Sequence, residues 1–219
     1  MSIYKIDKNP TAEGRRILSI LEDMPFTEQD ILKDDNGRPY FSDRTKGVDF
    51  NISHSKDLVA VSHVKGIGFR TGCDVQVVRN RTNTQKIAEQ YFSNLEAEYI
   101  LSQKEKGNDS AFFEIWTLKE CYIKLRGLSV FDIAKAPCFY YRNRDSVEFG
   151  SSTAGAVPLL FYLYKLNNND GTKYIMAAAV EGETAFGRLE LQPLIQWFSE
   201  TLLSCELIDK FHIYNDNKI

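Results

Sequence analysis

Ser110-Ala111-Phe112-Phe113-Glu114-Ile115-Trp116-Thr117-Leu118-Lys119-Glu120-Cys121-Tyr122-Ile123-Lys124-Leu125-Arg126, followed by Gly127, carries the firmest structural signal in the chain. Its apolar spacing predicts a helix, and Gly127 is placed to cap its C-terminus. Trp116, Glu120 and Lys124 fall at i, i+4 and i+8 and share one face. Phe112, Ile115, Tyr122 and Leu125 serve packing around the other sides. The remaining stripe is an acid and a base flanked by an indole. On spacing alone the plainer reading is a surface Glu-to-Lys pair, worth about 0.2–0.5 kcal/mol.

Two more helices, over 82–91 and 95–103, precede this one. Strands are expected on both sides of the helical centre. Residues 48–53 and 57–64 read as two strands joined by His54-Ser55-Lys56, and 66–72 as a connection leading into the next. Beyond the helices, 138–142, 146–149, 159–165 and 173–180 read as strands, with an evident turn at 167–171. Near the N-terminus, 11–23 suits a short amphipathic helix capped near Thr11. Asp35-Asn36-Gly37-Arg38-Pro39 is a cluster of turn formers that puts Arg38 at a strand entrance. Residues 191–208 return to a helical period and predict a C-terminal helical tail, with fraying from Asn215 onward. Strands, then helices, then strands predict an α+β fold rather than a regular βαβ alternation.

A length of 219 residues is enough to bury a sizeable core. With 43% hydrophobic and 26% charged residues, the chain falls in the folded globular class, not the disordered or membrane classes. A net charge of −3 argues against a globally basic nucleic-acid binder, so any phosphate site must be local. Cysteines 73, 121, 138 and 205 lack CxxC spacing and read as reduced thiols. Neither a signal segment nor a membrane-length apolar run is visible, which makes the cytoplasm the default location.

Three short segments carry the chemistry. Asp74, in Gly72-Cys73-Asp74-Val75-Gln76, is an acid in a predicted strand, where a carboxylate stays buried only if paired. Together with Glu120 it can hold a hard cation, since magnesium usually takes one or two carboxylates plus phosphate oxygens and water. An isolated strand-edge acid is the plainer alternative. Asn51-Ile52-Ser53-His54-Ser55 offers hydroxyls, an imidazole and backbone amides that can cradle an anionic oxygen, or form an ordinary polar hairpin. His63 and His212 have no ligand-spaced acid or cysteine and receive no metal role.

In their order and separation these segments resemble the Sfp-type 4'-phosphopantetheinyl transferases. Gly37-Arg38-Pro39-Tyr40 is similar to that family's G-K/R-P segment, Asn51 to Ser55 to its N-I/L-S-H-S, and Gly72 to Gln76 to its G-I/V-D-I/V-E. Tyr91-Phe92-Ser93 with Glu96 resembles F-F-S-x-x-E, and Trp116 to Lys124 resembles W-x-x-K-E-x-x-x-K. The likeness runs from about residue 37 to 129.

The resemblance implies two similar α+β lobes in one chain, an N-terminal lobe over 1–67 and a C-terminal lobe over 68–219, with coenzyme A between them. It implies transfer of the phosphopantetheine arm of coenzyme A to a serine of an acyl or peptidyl carrier protein, with magnesium required and adenosine 3',5'-bisphosphate released. Carried over, Asp74 and Glu120 ligate magnesium with Gln76 in the same set. Lys124 meets the diphosphate with Lys119 on the same coenzyme, His54 meets the 3'-phosphate, and Arg38 and Ser53 hold the nucleotide end. Glu120, directly or through water, draws the proton from the carrier serine. A two-lobed chain completes its site without a partner subunit, which implies a monomer.

Two departures stand out. Gln76 occupies a position where many relatives have a second carboxylate, and the region ahead of Gly37 is short, which implies a trimmed first lobe with Arg15 or Arg16 taking phosphate contacts. They motivate a rival reading, a non-catalytic coenzyme A or carrier-protein binding homologue. A hydrolase sharing the metal site is the third.

Overall fold

The computed structural model describes residues 2–5, 9–43, 45, 47–80, 83–143, 146–150, 159–182, 196–197 and 202–213. Strands and helices mix as the α+β reading expects. β1 (Ser2–Lys5) precedes α1 (Pro10–Leu21), and the short hairpin β2 (Ile31–Lys33) and β3 (Pro39–Phe41) follows. β4 (Val48–Ser55), β5 (Leu58–Lys65) and β6 (Arg70–Val77) lead to three consecutive helices, α2 (Thr84–Tyr91), α3 (Asn94–Glu105) and α4 (Ala111–Arg126). β7 (Cys138–Asn143), β8 (Ser146–Gly150), β9 (Leu159–Asn168), β10 (Lys173–Glu181), β11 (Gln196–Trp197) and β12 (Leu202–Ile213) complete the described elements.

Two four-stranded sheets form, in the orders β11-β1-β5-β4 and β12-β9-β10-β6. The core lies in three layers of apolar contact. Ile17 and Leu18 of α1 cover one face of the first sheet at Phe50, Val59 and Val61. Leu58 and Ala60 meet Val75, Tyr162 and Met176 between the sheets. Phe112, Ile115 and Leu118 of α4 press on Phe161 and Ile175, on the outer face of the second sheet.

The junction between the sheets is polar and regular. β6 is an edge strand, and its outward N–H groups need partners. Alternate side chains of β4 supply them. The amides of Thr71, Cys73, Val75 and Val77 donate to Asp49 Oδ2 (2.7 Å), Asn51 Oδ1 (3.2 Å), Ser53 Oγ (3.2 Å) and Ser55 Oγ (2.9 Å). Side chains two residues apart point to the same side of a strand, so one polar stripe of β4 seals the edge of β6.

Several expectations need correction. Asn51 to Ser55 is not a turn, because β4 runs on through Ser55 and the reversal is made by Lys56-Asp57, with Lys56 at φ 53°. The cap of α1 is Asn9, whose side chain accepts from the Thr11 and Ala12 amides, with Pro10 opening the helix. The C-terminal helical tail is absent from the described part of 191–208: Gln196–Trp197 is a strand beside β1, and Leu202–Ile213 pairs antiparallel with β9. Register shifts between Leu202 and Ser204 and between Leu207 and Asp209 interrupt the two-residue alternation, which hides the strand from a periodicity reading. The other residues of 191–208, and the tail from Asn215, lie outside the described residues.

Candidate active site

Four separated segments converge at one end of α4. The turn before β3 is tight: Gly37 takes φ 84° and Arg38 enters β3 as expected. The Arg38 side chain, 8% exposed, donates to Asp49 Oδ2 (2.6 Å), Thr71 O (3.1 Å) and Lys124 O (3.1 Å). Asn36 adds a bond to Gly127 O at 2.7 Å. Gly127, at φ 67°, ends α4 as expected, and the Leu128 amide closes back on Ile123 O at 2.8 Å.

β6 and α4 bring the acids together because nothing separates them at Gly72. A Cβ there would lie 2.6 Å from Cys121 O and 2.7 Å from Leu125 Cβ, so only glycine permits this approach of strand and helix. Asp74 is thereby held beneath Glu120 and Lys124. It is 1% exposed. Its Oδ1 accepts from Lys124 Nζ at 2.5 Å and from Ser53 Oγ at 2.8 Å, and its Oδ2 accepts from Gln76 Nε2 at 2.9 Å.

The electrostatics of this group are unequal. Burial, then the negative charge of Asp74, pushes the Glu120 carboxyl up to about 7, against a smaller opposing pull from Lys124. Burial would lower the Lys124 ammonium, but Asp74 and Glu120 outweigh it and hold it above its ordinary range. One ammonium thus faces two acids, and Glu120 carries the charge left uncompensated. A hard cation between the carboxylates would relieve it, so the donor set fits magnesium. Among the described residues no group of three or more His, Cys, Asp and Glu gathers, so the remaining ligands would come from Gln76, a phosphate or water. Glu120 and Lys124 open onto a cleft of about 330 Å³, walled by the Gly37 turn, Ile52 and the Leu128–Val130 segment.

Two residues expected here are placed elsewhere. Lys119, 2% exposed, points into the core, where its Nζ lies 3.0 Å from Glu96 Oε1 and 3.2 Å from Pro137 O. His54 is exposed on the face of β4 opposite Ser53 and Ser55. Arg15 and Arg16 pair with Glu28 and Glu13. Trp116 packs on Phe112 and Phe92, with ring centroids 5.7 and 6.0 Å apart. The four cysteines are free thiols, and Cys73 and Cys121 are buried. Asp49 and Asn51 also take part in the junction, and their signal in the sequence is the polar alternation Asp49, Asn51, Ser53, Ser55, interleaved with Phe50 and Ile52.

Residues 70–178, which include β6 and all of α4, match the model of the 4'-phosphopantetheinyl transferase superfamily. That stretch of the chain belongs to the superfamily. It is 36% identical over 118 residues to the 4'-phosphopantetheinyl transferase AcpT of Salmonella typhi, covering 54% of this chain and 56% of the relative. With the 4'-phosphopantetheinyl transferase HetI of a Nostoc species it shares 34% identity over 122 residues, 52% of this chain and 50% of HetI. With the 4'-phosphopantetheinyl transferase gsp of Aneurinibacillus migulanus the figures are 34% over 117 residues, 51% and 45%. The aligned regions thus span about half the length of these curated relatives. Among the described residues no helix is long and apolar enough to cross a membrane.

Proposed function

We propose that this protein transfers the 4'-phosphopantetheine arm of coenzyme A to a serine of an apo acyl or peptidyl carrier protein, releasing adenosine 3',5'-bisphosphate. The observation that carries this reading is that Asp74 of one motif lies buried against Lys124 of another, while Lys124 and Glu120 open onto one cleft beside it, in a stretch that matches the superfamily. In the reaction the serine oxygen forms a bond to the β-phosphorus, and the bond from that phosphorus to the bridging oxygen breaks. The electron pair leaves with adenosine bisphosphate, and the serine proton goes to Glu120 or to a water that it orients.

Asp74 and Glu120, with Gln76 in the set, would hold magnesium, which would supply Lewis-acid neutralisation of the diphosphate. Lys124 presents its ammonium to the same phosphates, and a site with low water access strengthens that contact. Of the two carboxylates Glu120 is the one that opens onto the cleft, which suits it to take the proton of an incoming serine. His54, on the exposed face of β4, is free to meet the 3'-phosphate. The change of sheet between β5 and β6 supports a lobe boundary near residue 67, with 1–67 and 68–219 as the units. We place the enzyme in the cytoplasm as a monomer.

The deciding experiment is intact-mass measurement of apo carrier proteins incubated with this protein, coenzyme A and magnesium, beside a chelator control. A magnesium-dependent gain of one phosphopantetheine on the carrier serine is expected. No gain across a broad carrier panel, with coenzyme A still bound, would replace the transferase with a binding protein; free phosphopantetheine would indicate a hydrolase.

A further inference from the structure

Ser53 is 3% exposed, and its hydroxyl has no capacity left for a ligand. A serine hydroxyl offers one donor and two acceptor sites. Ser53 Oγ donates to Asp74 Oδ1 at 2.8 Å, and accepts from Lys124 Nζ at 2.9 Å and from the Val75 amide at 3.2 Å. All three sites are used, and two of the partners are the charged groups of the proposed reaction. Contact between Ser53 and the nucleotide, which the family resemblance implies, would require breaking one of these bonds in a buried site.

We infer that Ser53 is a positioning residue, which sets the separation and orientation of Asp74 and Lys124 and does not itself hold coenzyme A. The fold supplies an internal control. Ser55 makes the same kind of bond to the same strand, to the Val77 amide at 2.9 Å, but no bond to either site residue. A role confined to sealing β6 would make the two serines equivalent. A positioning role makes them differ.

The inference rests on the transferase reading for its kinetic consequence, so its test has a second arm that does not. Ser53→Ala, Ser53→Thr and Ser55→Ala are compared with the natural protein for kcat, KM and calorimetric affinity for coenzyme A. Proton–nitrogen NMR then follows the Lys124 ammonium, assigned by its loss in Lys124→Met. We expect Ser53→Ala to lower kcat about tenfold or more while coenzyme A affinity stays within about twofold. Ser53→Thr, which keeps the hydroxyl, should recover most of the loss, and Ser55→Ala should keep its kcat. The ammonium signal should be visible and slowly exchanging in the natural protein and be lost in Ser53→Ala.

Four results would overturn the assignment: weakened coenzyme A binding with kcat kept, equal kcat losses in the two alanine variants, a Thr variant no better than Ala, or a fast-exchanging Lys124 ammonium in the natural protein. If the natural protein transfers nothing, the transferase reading falls, and the ammonium signal still decides the role of Ser53.

Discussion

Lys124 Nζ lies 2.5 Å from Asp74 Oδ1, so among the described side chains a lysine is the nearest cation to the more buried of the two acids. The pair joins a helix to an edge strand, and its members come from motifs 50 residues apart. Asp74→Asn keeps the shape but removes the charge, and should abolish magnesium-dependent transfer while circular dichroism is retained. Lys124→Met should lower transfer about 100-fold or more, as loss of a charge-stabilising donor does. Intact-mass kinetics check both, and turnover retained in either would remove that residue from the site.

Lys119 gives a prediction of the opposite kind. Its ammonium is sealed in the core with Glu96, which also accepts from the Ser93 and Phe139 amides at 2.8 Å each. Lys119→Met leaves a buried carboxylate without its counter-charge, at a cost of about 3–5 kcal/mol. Urea unfolding should show this loss, and coenzyme A affinity of the folded protein should be unchanged. Weaker coenzyme binding at undiminished stability would place Lys119 on the ligand.

Gly72→Ala tests the approach of β6 to α4. The new methyl would meet backbone atoms of Cys121 and Leu125 below 3 Å, which no rotamer change relieves. The helix must back away, at about 1–3 kcal/mol, and it carries Glu120 and Lys124 off Asp74 as it does so. Stability and transfer should therefore fall together. A stable variant with full transfer would show that the separation of strand and helix is not critical.

Much of this site was legible in the sequence because its signals are local. The spacing of Trp116, Glu120 and Lys124 places them on one helical face, and these positions of α4 are indeed less buried than Leu118, Cys121 or Leu125. The turn at Gly37 and the cap at Gly127 follow from backbone sterics that act within a few residues. What escaped depends on distant partners. Ser53 and Asp49 read as turn or strand polar residues until β6 is laid beside them, and Lys119 cannot be told from a surface lysine without Glu96. β12 is a strand because β9 offers it a free edge, a fact located more than 30 residues earlier in the chain.

The Glu120 carboxyl makes stability depend on pH in a definite direction. Its folded value near 7 lies above the ordinary 4.5, so the folded protein holds this proton more tightly than the unfolded chain does. Stability is therefore greatest below about 4.5 for this group, declines as pH rises towards 7, and carries the full penalty above. With solvent screening the penalty is on the order of 1–3 kcal/mol. In chelated protein, Glu120→Gln should raise the melting temperature at pH 8 and leave it unchanged near pH 4. An equal effect at both would assign the change to packing instead of ionisation.

Gln76 now donates its amide to Asp74 Oδ2 at 2.9 Å, so it stabilises the acid as a hydrogen-bond donor. A half-turn of the amide presents the carbonyl oxygen instead, a neutral ligand that suits a hard cation but attracts it less than a carboxylate. The natural protein should therefore be active with a high magnesium requirement. Gln76→Glu should lower the magnesium concentration for half-maximal transfer. The same variant loses the donor and sets a third negative charge beside Asp74 and Glu120, so it should melt at lower temperature in chelator and gain more from added magnesium than the natural protein. The two readouts are independent, since melting requires neither coenzyme A nor a carrier. Unchanged magnesium dependence in both would remove Gln76 from the metal set and leave it a partner of Asp74 alone.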